Sequence, residues 1–503
     1  MLRNLNEKER RVIVSTEHLA LDATYQDISA DTIAQKAEQW LPEDFAELCQ
    51  QLVKGKFRNA TENRAVSHCL SRSLNSVVAA GNGNNRFSEI VRELRSGRWL
   101  GATGKPITDV VNIGVGGSDL GPMMASFALR EFADDASRHH LNVHFVSSMD
   151  GGQLYAVLPI IDPETTLFII ASKSFTTVDT MANVETVRRW VEPSLSDEQW
   201  LSRHVIGVSA SAQKMTDYGI PPKQQLTFAD SVGGRFSVWS AIGLPIALTT
   251  GVRVFERMLA GAKSVDEHFV NAPLVENIPV LMALYGVYNR QERGINNLAI
   301  LPYDGRFRYL PNYLQQLDME SNGKLANYRN ELVDYPTGPI VWGGFGPNGQ
   351  HAFFQHLHQG YDSFTADFLV VLSRDAKQFG ISVQEGLAKQ QRLSVANCLA
   401  HRSLMYYGHD NADKSPRDHY NGGHPSNLLV IDELTPESFG AVVATYEHKV
   451  FTQGVIWEIN SFDQPGVERG KQLAMDMLDV LDNGSAQTFD ASTNNIINRL
   501  KEL

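Results

Sequence analysis

ITDVVNIGV, residues 107–115, decides the fold. Its β-branched residues sit side by side with little polar alternation, and the next residues are glycine-rich. Such a run predicts a strand buried on both faces, as in a parallel sheet covered by helices. Three more runs follow the same form: LNVHFVSS (141–148), ETTLFIIAS (164–172) and RHVIGVSA (203–210). Residues 231–250 then predict a buried helix, and residues 253–293 are helical in pattern. The rhythm returns with INNLAILPY (295–303), GPIVWGG (338–344), DFLVVLS (367–373) and NLLVIDEL (427–434). Toward the N-terminus, EDFAELCQQLVKGKF (43–57) carries helical periodicity, residues 1–70 lack strand-like runs, and AGNGNNR (80–86) reads as a loop. The expected fold class is α/β, with two doubly wound domains, mainly parallel sheets and helical arms at both ends. The expected boundaries are a helical N-terminal arm at 1–70, a smaller first domain at 71–252, a second at 253–440 and a helical C-terminal arm at 441–503.

The 503 residues carry 45 basic and 57 acidic side chains, a net charge of −12. That sign disfavours nonspecific nucleic-acid binding, and it requires any anionic substrate to meet positive charge gathered locally. The three cysteines, Cys49, Cys69 and Cys398, are sparse and show no CxxC spacing. Neither a disulfide framework nor a zinc ribbon is expected, and a reducing compartment suits them. The opening MLRNLNEKERR is charged and reads as no signal peptide, and no apolar run is long enough to span a membrane. The expected location is the cytoplasm.

In doubly wound sheets ligands sit beyond the carboxyl ends of strands, so the loops there hold the candidates. Residues 171–180, ASKSFTTVDT, crowd Ser172, Ser174, Thr176 and Thr177 between a strand and a helix. Hydroxyls, backbone N–H groups and a helix N-terminus together suit a phosphate; a plain N-cap turn is the alternative. IGVGGSDLGP (113–122) places glycines after a strand, either for close ligand approach or for a tight turn. GFGPNG (344–349) matches GxGxxG literally, but Pro347 and an ill-placed acidic partner argue against a dinucleotide. His351, His356 and His358 follow without metal-ligand spacing, so no metal is expected. Gln316 and Glu320 stand four apart in YLQQLDMESNGK (313–324), near a helix end, as an amide beside a potential base or as surface residues. Arg235 is the single charge in SVGGRFSVWSAIGLP (231–245) and needs an anionic partner, either substrate or structural carboxylate. Lys471, in NSFDQPGVERGK (460–471), reads in isolation as a surface lysine.

Together, GGRFSVWSAIG and INSFDQPGVERGK resemble the two sequence signatures of the glucose-6-phosphate isomerase (phosphoglucose isomerase) family. IGVGGSDLGP, SKSFTT, QLDMESNGK and NGQHAFFQHLHQG resemble further family segments in the family's order, and TENRAVSH (61–68) resembles the stretch near its N-terminal arm. The match covers roughly residues 60–475. The resemblance implies two sugar-isomerase domains and an aldose–ketose isomerase that interconverts glucose 6-phosphate and fructose 6-phosphate through ring opening and a cis-enediolate. It implies that Glu320 is the base, Arg235 the cation near the enediolate, and His351 and Lys471 the ring-opening residues. Gly117, Ser118 and Gln316 contact the sugar, and Ser172, Lys173, Ser174, Thr176 and Thr177 form the phosphate loop. It further implies a homodimer whose active site takes His351 from the neighbouring subunit. From charge, apolar runs and motifs, no cofactor, nucleic acid or membrane is expected as a partner. Ser174 stands where the family more often has Thr, and Asp179 where Glu is frequent. The alternatives are a related isomerase that also accepts mannose 6-phosphate and a non-catalytic sugar-phosphate-binding regulator.

Overall fold

Apolar, β-branched runs form the strands, and the computed structural model describes them within residues 7–75, 85–134, 139, 141–409, 415–485 and 488–502. In chain order they are β1 (Ile13–Ser15), β2 (Ala20–Tyr25), β3 (Arg58–Asn59), β4 (Arg64–Ala65), β5 (Asp109–Ile113), β6 (Asn142–Val146), β7 (Thr166–Ala171), β8 (Val205–Ser209), β9 (Gln225–Thr227), β10 (Asn297–Pro302), β11 (Ile340–Gly343), β12 (Thr365–Ser373) and β13 (Ser426–Glu433). One sheet has the order β6-β5-β7-β8-β9, parallel throughout. Every residue of β5, β7 and β8 is buried, as a sheet covered on both faces requires. The second sheet runs β1-β2-β13-β12-β10-β11, with β10 to β13 parallel.

Residues 13–25 correct the reading of the N-terminal arm. They form β1 and β2, and β2 pairs antiparallel with β13, Leu21 facing Leu429. ALDATY is short and carries Asp22, so its own propensity is weak; the open edge of β13 supplies the ladder that makes it a strand. β3 and β4 form a separate small hairpin.

Both sheets share one winding. The chain goes from β5 outward to β6, then crosses back to β7 on the other side; it repeats this from β10 to β11 and back to β12. The junctions β5/β7 and β10/β12 are therefore topological switch points, each with a crevice beyond its strand ends.

The expected buried helix at 231–250 is buried but broken: 3₁₀ turns at Gly234–Trp239 and Ala241–Gly243 precede a helix at Leu244–Thr250. Glycines and Pro245 interrupt the helical ladder there. Helices Val252–Asn271 and Ile278–Val287 fill the segment between the sheets. The helix Pro436–Ile456, buried along most of its length, runs through the boundary expected at 440/441. Its backbone touches that of Val252–Asn271 at Gly440, whose missing side chain leaves room for the Met258 carbonyl, so no linker can lie there. The chain divides into compact units Met1–Ser461 and Phe462–Leu503. The second unit holds helices Glu468–Asn483 and Ala491–Lys501. Of the loop expected at 80–86, residues 80–84 lie outside the described residues, and Arg86 opens the helix Arg86–Arg95. Among the described residues no helix is long and apolar enough to cross a membrane.

Candidate active site

The first switch point gathers the two loops singled out by sequence. After β5, the turn Gly116–Ser118 leads into the helix Leu120–Leu129. Gly116 has φ 56°, and a Cβ there would stand 2.8 Å from Gln316 Nε2. A Cβ on Gly117 would overlap the Gly234 carbonyl oxygen. The glycine loop thus lies directly against the Arg235 segment and against Gln316, three pieces far apart in sequence.

After β7, residues 172–177 turn into the helix Val178–Val191. Ser172 is buried, and its Oγ lies 2.9 Å from Thr177 Oγ1 and accepts from the Phe175 amide at 3.1 Å. Phe175 has φ 54°, with its ring buried edge-on to Tyr218. Ser174 and Thr176 are exposed, and their hydroxyls hydrogen-bond at 3.0 Å. Lys173 Nζ stands 3.4 Å from Asp230. Burial, then Arg64, lowers the Lys173 ammonium's pKa, and Asp230 only partly opposes them. The loop so offers hydroxyls, backbone N–H groups and one ammonium around a helix N-terminus.

Arg235 is buried and held from two sides. Its Nε donates to Ser321 Oγ at 2.6 Å and its Nη2 to the Ser461 carbonyl at 2.7 Å. Its Nη1 lies 3.6 Å from Glu320 Oε2. Of the two partners considered for Arg235, the carboxylate present is Glu320 itself. Glu320 keeps 24% of its side chain exposed, so the carboxylate can be reached. Gln315–Glu320 is a π turn rather than the plain helix expected, a widening common at functional sites. Lys449 from the helix Pro436–Ile456 pins it through Asp318 at 2.9 Å, both side chains buried. Lys324 Nζ donates to the Glu320 carbonyl at 3.0 Å, closing the turn's carboxyl end. Among the described residues Gln316 Oε1 is buried without a hydrogen-bond partner, an acceptor left open beside the glycine loop.

A polar cluster lies behind Arg235. Trp239 Nε1 donates to both Glu447 oxygens, at 2.9 and 3.0 Å, and Arg72 bonds Glu447 and Asp266. Burial lifts the Glu447 carboxyl to about 7 although Arg72 and Trp239 oppose it. Cys69, Asp266 and His448 place ligand atoms within 4.8 Å of one another, a spacing that fits a metal ion. The Arg72 guanidinium already bonds Asp266 and lies 3.3 Å from His448 Nε2, so it supplies the positive charge of that cluster.

Other candidates part company. His351 is exposed in the turn between the helices Gly346–Gly349 and Phe354–Gln359, and among the described residues its ring makes no hydrogen bond. His356 pairs with Asp362 at 3.0 Å, while His358 is buried against His401 at 2.9 Å. In GFGPNG the glycines serve packing: a Cβ at Gly346 would overlap the Tyr303 ring. Lys471 lies in the second unit, exposed and paired with Glu468 at 2.8 Å.

Sequence reasoning missed Ser321 and Ser461, which hold Arg235, although each adjoins or lies within a quoted segment. It also missed Asp119, directly after Ser118. That carboxyl is buried, which raises it to about 6 against a hydrogen bond from Ser147.

The phosphoglucose isomerase family model matches residues 25–497. The glucose-6-phosphate isomerase of Idiomarina loihiensis is 69% identical over 97% of this chain and its own whole length. That of Acinetobacter venetianus is 44% identical over 97% of this chain and 91% of its own. Among solved structures, a glucose-6-phosphate isomerase from Chlamydia trachomatis superposes with a TM-score of 0.82 at 28% identity, covering 99% of this chain and 94% of its own.

Proposed function

The chain belongs to the phosphoglucose isomerase family and interconverts glucose 6-phosphate and fructose 6-phosphate; from that premise we propose which of its groups carry each step. The observation that carries the reading is the immobilised Arg235 guanidinium 3.6 Å from the reachable carboxylate of Glu320. Glu320 takes the proton from C2 of the open-chain aldose and returns it to C1, passing through a cis-enediolate. Arg235, already fixed by Ser321 and Ser461, stabilises the charge that develops there, so little reorganisation is needed in the transition state.

The phosphate is held by the hydroxyls and N–H groups of Ser172, Ser174, Thr176 and Thr177, with Lys173 adding charge. Its binding orients the reacting carbons. Gly117 and Ser118 lie along the sugar, and Gln316 Oε1 accepts from a sugar hydroxyl. Ring opening falls to His351 and Lys471. The exposure of His351 on its own chain supports its service to a neighbouring subunit, and hence a homodimer. Ring opening breaks the C1–O5 bond as the C1 hydroxyl loses its proton and O5 gains one; isomerisation moves one proton from C2 to C1 and one from O2 to O1, so no hydride acceptor is called for. The three cysteines are free and buried, which supports a reducing, cytoplasmic setting.

The test is a coupled assay in which purified protein receives fructose 6-phosphate and a dehydrogenase detects glucose 6-phosphate. Glu320→Gln lowers kcat by about 10²–10⁴ with modest change in KM; near-normal turnover would remove Glu320 as the base. Exchanging subunits between inactive Glu320→Gln and His351→Ala proteins restores part of the activity if the site is shared. Heterodimers without recovery would end that proposal. Mannose 6-phosphate in the same assay reads the epimer preference.

A further inference from the structure

The second sheet repeats the winding of the first, so its switch point between β10 and β12 has a crevice of its own. A cleft of about 390 Å³ lies there, lined by the segments that follow β10 and β12. It is closed on one side by the carboxyl end of the helix Leu120–Leu129. That helix starts at the glycine loop, and ten residues span about 15 Å, so the cleft is separate from the active site.

The charged residues of the cleft are Arg130, Arg306, Arg308, Arg374, Glu131 and Asp304, four cations against two anions. In a chain of net charge −12 this excess is local and opposite in sign. The site is built rather than incidental. Arg306 is buried, and its Nε and Nη2 grip Asp304 at 2.8 and 2.7 Å while its Nη1 bonds Glu131. Glu131 also receives Arg374 at 2.7 Å. Both carboxylates are thereby used. Among the described residues, Arg130 and Arg308 have no carboxylate partner; both lie over the Phe127 ring, at 4.4 and 5.8 Å from its centroid. Arg308 also lies 5.8 Å from the Phe345 ring. A guanidinium held over an aromatic face keeps its N–H groups for an anion, and two such groups suit bidentate binding of phosphate.

We propose that this cleft is a second anion site, which takes a small phosphate-bearing metabolite between Arg130 and Arg308. The volume suits a ligand of sugar-phosphate size, and a concave pocket of this size excludes a nucleic-acid duplex. The site owes nothing to the assignment of Glu320 or the phosphate loop, so either proposal can fail without the other.

Calorimetric titration of the intact protein with inorganic pyrophosphate tests it. The double variant Arg130→Ala/Arg308→Ala binds one fewer pyrophosphate per chain than the wild type, or binds it at least tenfold more weakly. Its kcat/KM for fructose 6-phosphate stays within twofold, which shows that the fold is intact. A companion Ser174→Ala/Thr176→Ala protein keeps the pyrophosphate that the arginine variant loses. Equal stoichiometry and affinity in the wild type and the arginine variant would overturn the proposal. So would loss of that pyrophosphate in the serine/threonine variant alone, and so would a cleft filled by a second copy of the chain, seen as no cleft binding in the wild type.

Discussion

At the first switch point the chain turns with glycines and hydroxyls, and at the second it turns with arginines. The four strands around each switch point follow the same order in both sheets, so the winding places the crevices but does not furnish them. Glycines at 116 and 117 bring backbone, the Arg235 segment and Gln316 together, and that crevice borrows Glu320, the proposed base, from the helical turn after β10. The second crevice keeps its side chains long and charged and is held open by Arg306 between two carboxylates. One arrangement suits close contact with a reacting centre, and the other suits capture of charge.

The largest effect is expected at Arg235. Arg235→Lys keeps the charge but loses the bonds to Ser321 and Ser461. Steady-state kinetics should show kcat down by roughly 10²–10³ with KM changed much less. A wild-type kcat would mean that the first crevice does not depend on one fixed guanidinium.

Next comes a matched pair of glycines. Gly117→Ala drives a methyl group into the Gly234 carbonyl and within 2.7 Å of the Arg235 amide. It should cost about 3 kcal/mol in urea unfolding and lower kcat at least tenfold. At Gly305, beside the second crevice, the nearest atom to a new Cβ is Phe345 Cζ at 3.7 Å. Gly305→Ala should stay within about 0.5 kcal/mol. Equal effects would erase the contrast between a crowded loop and a roomy one.

The smallest effects come from two carboxylates in the turns after β5 and β10. Asp119 is raised to about 6 by burial, with Ser147 opposing. Burial pushes Asp304 the same way, but the Arg306 hydrogen bonds and charge outweigh it and hold Asp304 below the ordinary value. A raised acid makes the folded state less stable as pH climbs from about 4 to 6. Asp119→Asn should therefore stabilise at pH 7.5 and be neutral at pH 4. A depressed acid contributes stability above the unfolded aspartate value and loses it as pH falls through the folded one. Asp304→Asn should accordingly destabilise at pH 7.5, and less toward pH 3. Unfolding midpoints from pH 3.5 to 8 give two difference curves of opposite sign, and curves of the same sign would refute the assignment.

Much of this was legible in the chain. The eight apolar runs announced β5 to β8 and β10 to β13 because burial on both faces leaves an unbroken apolar signal. β1, β2 and β9 were not legible: each is short, and pairing with a neighbouring strand, not composition, makes it a strand. The π turn at Gln315–Glu320 leaves no mark in a spacing of four residues, since it is held by Lys449, 131 positions away from Asp318. The same distance problem hid Ser461 as the holder of Arg235. Glu320 and the loop at 172–177 stood out only through the family resemblance and through hydroxyl density. The partners of Glu320 and of Phe175 needed coordinates.

Phe175 carries a consequence for binding. A non-glycine residue rests in left-handed backbone only where something outweighs the strain, and here that is a ring buried against Tyr218 and an amide tied to Ser172. The hydrophobic core therefore sets the shape of residues 172–177, not the arriving substrate. The chain's conformational freedom there is surrendered during folding, once, and not again at each turnover. If the phosphate binds there as proposed, it meets a loop whose form the fold already holds at Phe175, which lowers the cost of ordering the donors.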